Sequence, residues 1–135
     1  MALIAWDNSF SVGVKAIDNQ HKGLLEIVNE LYAAMMQRQT KSVTGPLLNK
    51  LVNYTQVHFS AEEKMMQATD YPHLIQHRAR HLDLTRQVGE FMTRYEHGDG
   101  SLNIHLLRFL SDWLTRHIQQ EDKEYGPWLN QHGVQ

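Results

Sequence analysis

Nine histidines and no cysteine stand in this 135-residue chain, and five of the histidines fall in helical register with apolar residues or with one another. From Ile17, apolar or ligand-type residues recur at His21, Leu24, Val28, Leu31 and Met35 in alternating steps of four and three. That is the inward stripe of a bundle helix, and it predicts a helix over about 18–38. A second stripe reads Leu47 or Leu48, Leu51, Thr55, His58, Glu62, Met65. It predicts a helix over about 42–68, with Pro46 accommodated near its start. Thr69-Asp70-Tyr71-Pro72 then punctuates the chain, and Asp70 with Pro72 is placed to open a third helix over about 72–96. Its stripe is Leu74, His77, His81, Leu84, Val88, Phe91, Tyr95. Gly98-Asp99-Gly100-Ser101 reads as a turn with Ser101 as N-cap of a fourth helix over about 101–120, whose inner face carries Leu102, Leu106, Phe109 or Leu110, Trp113 and His117. Gly126-Pro127 is expected to stop any continuation and leave a short C-terminal segment.

No strand pattern, repeat or low-complexity tract interrupts these stripes. The expected fold is all-α: one domain over 1–135, an antiparallel up-down-up-down four-helix bundle. Residues 1–17 carry Trp6, Phe10 and Val12 without helical spacing and are expected to form an arm packed on the bundle. A hydrophobic content of 41 % against 21 % charged residues argues for a globule rather than a disordered chain. The net charge of -2, with 13 basic and 15 acidic side chains intermixed, gives no footprint for nucleic acid or an anionic membrane. The absence of cysteine excludes disulfides, thiolate metal sites and cysteine nucleophiles. With no signal-like or membrane-spanning apolar run, the expectation is a cytoplasmic protein without membrane insertion; mixed surface charge and no evident exposed apolar helix face point to a monomer.

Position along the helices turns the histidines into a candidate site. His21 lies near the start of the first helix, His58 and Glu62 near the end of the second, His77 and His81 near the start of the third, and His117 with Asp122 at the end of the fourth. In an up-down-up-down bundle all four places fall at one end. His58/Glu62 and His77/His81 are four residues apart and so share a helix face. Asp122 lies five past His117, off the ideal face, so a π-bulge or an unwound turn is expected there. A single histidine on an apolar stripe is ordinarily a hydrogen-bonded core residue. Five imidazoles and two carboxylates buried at one depth without partners would cost several kcal/mol or more, a cost that metal coordination removes. Imidazole and carboxylate donors suit iron, manganese, zinc or copper. Seven are too many for one tetrahedral zinc and fit two ions with bridging carboxylates. The histidine-rich ratio, without any Glu-x-x-His, separates this set from ferritin-like centres. His73, His97, His105 and His132 fall off the stripes or in turns and read as surface or local-packing residues.

His21 within Ile17-Asp-Asn-Gln-His, His58-Phe-Ser-Ala-Glu62-Glu, His77-x-x-x-His81 and His117-x-x-x-x-Asp122 together resemble the signature of the hemerythrin family, in particular its single-domain bacterial members. The resemblance runs along essentially the whole chain, including the arm with Trp6 and Val12-Gly-Val14. It implies two iron ions (Fe2+/Fe3+) joined by an oxo or hydroxo bridge. One is held by His77, His81 and His117, the other by His21 and His58 with one position open. Glu62 and Asp122 bridge both. It further implies reversible dioxygen binding at the open iron, for oxygen storage or delivery, by a protein that is not an enzyme. Alternatives are an oxygen- or redox-sensing module acting through a separate partner, and a di-iron enzyme acting on peroxide or nitric oxide. No unassigned inward carboxylate is evident to act as a general acid for turnover. An oxygen-consuming partner protein is left unidentified.

Reversibility requires a dry pocket, because water or an acidic group beside bound oxygen would protonate and release it in reduced form. Leu24, Phe59, Trp113, Leu114 and Ile118, each a step or a turn from a ligand, are the candidates for its wall. Leu114, nearly one turn before His117, is the expected control on access. Leu114→Tyr, which brings a hydroxyl into that space, is expected to speed autoxidation of the oxygenated protein. An unchanged decay rate of its visible spectrum would count against the assignment.

Overall fold

The alternating stripes become the inner faces of four helices. The computed structural model of the chain describes residues 3–38, 41–97 and 104–135. They form α1 (Lys15–Met36), α2 (Lys41–Ala68), α3 (Leu74–His97) and α4 (Ile104–Arg116). These build an antiparallel bundle in which α1 lies against α2 and α4, and α2 against α3. No strand occurs among the described residues. After α4 the chain makes a π-helical turn, His117–Glu121, a 3-10 turn, Asp122–Glu124, and a last short helix, α5 (Gly126–Gln131).

Several boundaries differ from the stripe-based expectation for local reasons. α1 starts at Lys15 rather than Asp18 because Asp18 serves the arm: its carboxylate accepts from Ser11 Oγ at 2.6 Å and from the Val12 amide at 2.9 Å. α1 ends at Met36, with Arg38 beyond it in the left-handed region at φ 55°. Asp70 closes α2 instead of opening α3. It too is left-handed (φ 56°), and the Tyr71 amide donates to the Met66 carbonyl at 2.9 Å, a Schellman-type closure that an aspartate tolerates. Pro46 sits beyond the first turn of α2, where it has no amide to give to the carbonyl four residues earlier. Gly126-Pro127 does not end helical structure: proline near the start of a helix needs no amide donor, and the pair opens α5. The expected turn at Gly98–Ser101, with Ser101 as cap, lies outside the described residues.

The arm is held at both ends. Asn29 of α1 accepts from the Leu3 and Ile4 amides (2.9 and 3.0 Å) and donates to the Ile4 carbonyl at 2.8 Å, satisfying extended backbone that has no sheet partner. Trp6 stacks on Phe10, and Ile4, Phe10, Val12 and Val14 are buried. The core falls into two apolar clusters. The larger joins the arm to all four helices through such residues as Leu24, Leu31, Leu51, Tyr95, Leu110 and Leu114. The smaller gathers Val12, Val14, Ile17, Met66, Tyr71, Tyr125 and Leu129. Along each helix, the histidines and acids identified above sit between residues of one cluster and residues of the other.

Gly126 is where the C-terminal helix meets the arm. A Cβ there would run into the backbone carbonyl of Val12, whereas a Cβ at Gly23 would meet only the hydroxyl end of the Tyr54 side chain. Gly126→Ala is therefore expected to destabilise by about 1–3 kcal/mol, the usual range for an overpacked site. Gly23→Ala should cost less because Tyr54 can swing. Urea denaturation of the two variants checks the order; equal losses would contradict it.

Candidate metal centre

Between the two apolar clusters, four segments bring together the seven candidate ligands in one layer. His21 comes from α1, His58 and Glu62 from α2, His77 and His81 from α3, and His117 and Asp122 from the segment after α4. All seven are buried: His21, Glu62 and Asp122 at 0 % exposure, His58 and His117 at 1 %, His77 and His81 at 2 %. Asp122 reaches the layer through the π-helical turn. Its amide donates to the His117 carbonyl five residues back, which brings residues five apart onto one face, and its Oδ1 lies 3.1 Å from His117 Nε2.

The five rings turn the same atom inward. Nε2 of His21 is 3.3 Å from Glu62 Oε1 and 2.9 Å from Asp122 Oδ2, and Nε2 of His77 is 3.4 Å from Glu62 Oε2 and 3.0 Å from Asp122 Oδ1. His58 Nε2 touches Glu62 Oε1, and His81 Nε2 is 3.5 Å from Glu62 Oε2. The seven residues form two overlapping groups of mutually close ligand atoms. One is His77, His81 and His117 with Glu62 and Asp122; the other is His21 and His58 with the same two carboxylates. Nε2 of His58, His77, His81 and His117, Glu62 Oε2 and both Asp122 oxygens are buried without an aligned hydrogen-bond partner. So many unpaired lone pairs aimed at one volume fit divalent or trivalent cations and little else.

Outside the layer, Nδ1 atoms find partners that the stripes did not reveal. His58 Nδ1 meets Gln20 Oε1 at 2.6 Å, His81 Nδ1 meets Glu63 Oε2 at 2.9 Å, and His117 Nδ1 meets Glu121 Oε2 at 2.6 Å. With Nε2 turned to a metal, Nδ1 carries the proton and donates, which fixes tautomer and ring plane. Each partner is the chain neighbour of a ligand (Gln20 of His21, Glu63 of Glu62, Glu121 of Asp122), and that adjacency is the signal a sequence reading could use. Tyr125 is a further residue the stripes missed. Its phenol is fully buried and held well above its ordinary pKa by burial and by the charges of Asp122 and Glu62, so it stays protonated.

Leu24, Leu114 and Ile118 are at 0 % exposure, Phe59 at 4 % and Trp113 at 6 %, all in the larger apolar cluster. Phe59 lies flat on His81 (centroids 3.8 Å, planes 4° apart), and Trp113 runs parallel to His117 at 6.2 Å. These two rings thus cover the three-histidine side. Of the histidines read as peripheral, His73 is exposed, and His132 is exposed and stacked on Trp128 at 4.1 Å. The side chains of His97 and His105 lie outside the described residues.

Without a bound cation, the layer would set imidazolium against carboxylate. Burial opposes a charge on His21 and on His77, but hydrogen bonds to Asp122 and Glu62 and the charges of those acids outweigh it and raise both to about 9. Burial pushes Glu62 and Asp122 up, and Glu62 itself pushes Asp122 further. The surrounding histidines overcome this and hold both acids below their ordinary values, Glu62 well below. A histidine raised from 6.5 to about 9 gives stability that is complete below pH 6.5 and is lost as pH rises through 9. The lowered acids give stability that is present above their ordinary range and lost as pH falls through their lowered values. The two histidines share the same acids, so their contributions do not add. Chelator-treated protein should therefore lose on the order of 2 kcal/mol, ~6 °C in Tm, between pH 6.5 and 9. In metal-loaded protein the imidazoles are neutral ligands, rising pH favours occupancy, and the loss should vanish. Thermal melts at the two pH values decide; equal melting temperatures for the metal-free protein would contradict the ion-pair account.

Comparison with known proteins agrees with this geometry. Residues 12–129 match the family model described as the hemerythrin HHE cation binding domain. The chain is 32 % identical to a bacteriohemerythrin of Stenotrophomonas maltophilia over 98 % of its own length and 85 % of the relative's. It is 34 % identical to a bacteriohemerythrin of Methylococcus capsulatus over 96 % and 99 %. Its fold superimposes on a crystal structure of wild-type hemerythrin with TM-score 0.88 and 33 % identity, covering 95 % of this chain and 98 % of that one. The match over residues 12–129, on a bundle of this topology with two groups of buried histidines and acids able to hold cations, shows that the chain belongs to the hemerythrin HHE family.

Proposed function

We propose that this protein holds two iron ions and binds dioxygen reversibly, as an oxygen store or carrier rather than an enzyme. The observation that carries the reading is the unequal sharing of ligands: both groups use Glu62 and Asp122, but one adds three histidines and the other two. His77, His81 and His117 would hold one ion, and His21 and His58 the other, which is left with fewer protein donors and room for a small ligand. Bound there, an iron pair supplies reversible dioxygen binding with electrons drawn from both metals.

The chain's own residues keep that chemistry contained. Five neutral imidazoles and two carboxylates leave a loaded site with excess positive charge. Glu63 and Glu121, behind His81 and His117, offset part of it from outside the layer of candidate ligands. Leu24, Leu114 and Ile118 present only carbon to the interior, while Phe59 stacks on His81 and Trp113 lies parallel to His117, on the three-histidine side. A wall of this kind admits a neutral diatomic gas and gives no proton to what it binds. Tyr125, whose buried phenol feels the charges of both acids, is held protonated and releases no proton at neutral pH. No helix among the described residues is long and apolar enough to cross a membrane.

Metal analysis should find about two irons per chain. Reduced protein exposed to oxygen should develop a visible band that disappears on deoxygenation and returns over repeated cycles. Steady consumption of added reductant or peroxide, with no returning band, would point to turnover instead. His58→Ala and His117→Ala, each removing one donor, should both lower iron retention roughly 10-fold or more against a competing chelator. Retention unchanged in both variants would place the metal elsewhere.

A further inference from the structure

The groups behind the ligands are not alike on the two sides of the centre. His81 and His117, both in the three-histidine group, are backed by carboxylates, Glu63 at 2.9 Å and Glu121 at 2.6 Å. His58, in the two-histidine group, is backed at 2.6 Å by the neutral amide of Gln20, and the Nδ1 of His21 is buried without a hydrogen-bond partner. An imidazole whose Nδ1–H is donated to an anion gains imidazolate character and becomes a stronger donor at Nε2. That favours the more highly charged of two metal oxidation states. A neutral amide fixes the ring with little such push.

We propose that Glu63, Glu121 and Gln20 are positioning residues that set the order of oxidation: the ion held by His77, His81 and His117 loses its electron first, and the ion held by His21 and His58 stays ferrous longest. The inference rests on the di-iron reading above. The cations near the carboxylates do not cancel the asymmetry. Arg78 Nε pairs with Glu63 at 2.9 Å and Arg80 acts on Glu121, but Arg78 and Arg80 are 46 % and 40 % exposed, where solvent screens them. Arg80 is also shared with Glu124 at 3.2 Å. The consequence of this order is functional: in a half-oxidised centre the two-histidine ion is the one still ferrous, and the electron missing for two-electron oxygen binding is that of the three-histidine ion.

Each step is a one-electron change, Fe2+ to Fe3+, with ferricyanide accepting the electron and dithionite returning it, so the two potentials can be titrated at fixed pH. Glu63→Gln and Glu121→Gln keep size and hydrogen-bonding shape, and the native side chains are 22 % and 25 % exposed, so both variants should fold. Each is expected to raise the first potential, by up to a tenfold change in the oxidation equilibrium, or ~59 mV for one electron. Gln20→Glu, the reciprocal change, should lower the second potential and narrow the gap from the other side. Opposite signs for loss and gain of the carboxylate are a result that general loosening of the bundle would not give. Potentials unmoved in all three variants, or moved in the same direction, overturn the inference while wild-type protein with two irons and a cycling oxygen band leaves the di-iron reading standing. Wild-type protein that takes up no iron overturns both. Should a loss variant fail to fold, Gln20→Glu decides alone: a lowered second potential supports the inference, and an unmoved or raised one overturns it.

Discussion

Two buried carboxylates at 0 % exposure, Glu62 and Asp122, dictate how the rest of this bundle is arranged. Each would be expelled from a low-dielectric interior unless positive charge met it there. The chain brings five imidazoles to them from four segments, all by the same ring nitrogen, and still leaves lone pairs on both sides unmatched. Protons on the histidines are a partial answer that is lost as pH rises through about 9; cations satisfy donors and acceptors together. The apolar clusters above and below this layer follow from the same constraint. By excluding water from around the carboxylates they strengthen every charge interaction within the layer, and leave the ligands no alternative hydrogen-bond partners.

Periodicity made the inner faces legible, because a ligand on a bundle helix must occupy a position that would otherwise be apolar. His21, His58, His77, His81 and His117 could be read that way, and the five-residue step to Asp122 signalled the π-helical turn that the backbone shows, with the Asp122 amide donating to the His117 carbonyl. The four-helix architecture followed from the same stripes. Periodicity was silent on the flanks. Gln20, Glu63 and Glu121 are polar and look like ordinary solvated positions, yet each reaches an imidazole: Gln20 on α1 serves His58 on α2, and Glu63 on α2 serves His81 on α3. A residue next to an inward ligand sits at the helix–helix border, where a polar side chain reaches the neighbouring helix's ring from behind. That rule is local and could be applied to sequence.

Helix ends were the other illegible part, since they depend on capping that competes with the pattern. Asp18 had the look of a helix start and instead ties down the arm; Asp70 had the same look and closes α2 in a left-handed conformation. Gly126-Pro127 looked like a terminator, and the identical residues begin α5 because a proline is as suited to a helix's first turn as it is unsuited to its interior.

These end effects bear on the centre. Asp122 is the candidate ligand delivered by irregular backbone, and from it a 3-10 turn and Tyr125 lead to Gly126, which stands against the Val12 carbonyl. Val12 is in turn held by Asp18, three residues before His21. Asn130 of α5 closes the loop by donating to the Gly13 carbonyl at 2.9 Å. The arm and the C-terminal helix thus form a clasp whose two sides lead directly to His21 and to Asp122, which approach to 2.9 Å inside the layer. Of the candidate ligands, Asp122 lies beyond a helix end, where a bare four-helix bundle would hold it least firmly, and His21 follows the point at Asp18 where the arm is tied to α1. The chain devotes its non-bundle residues to fixing them, which explains why the arm is rich in buried apolar side chains and why a glycine, with no Cβ to keep the two sides of the clasp apart, stands at their crossing.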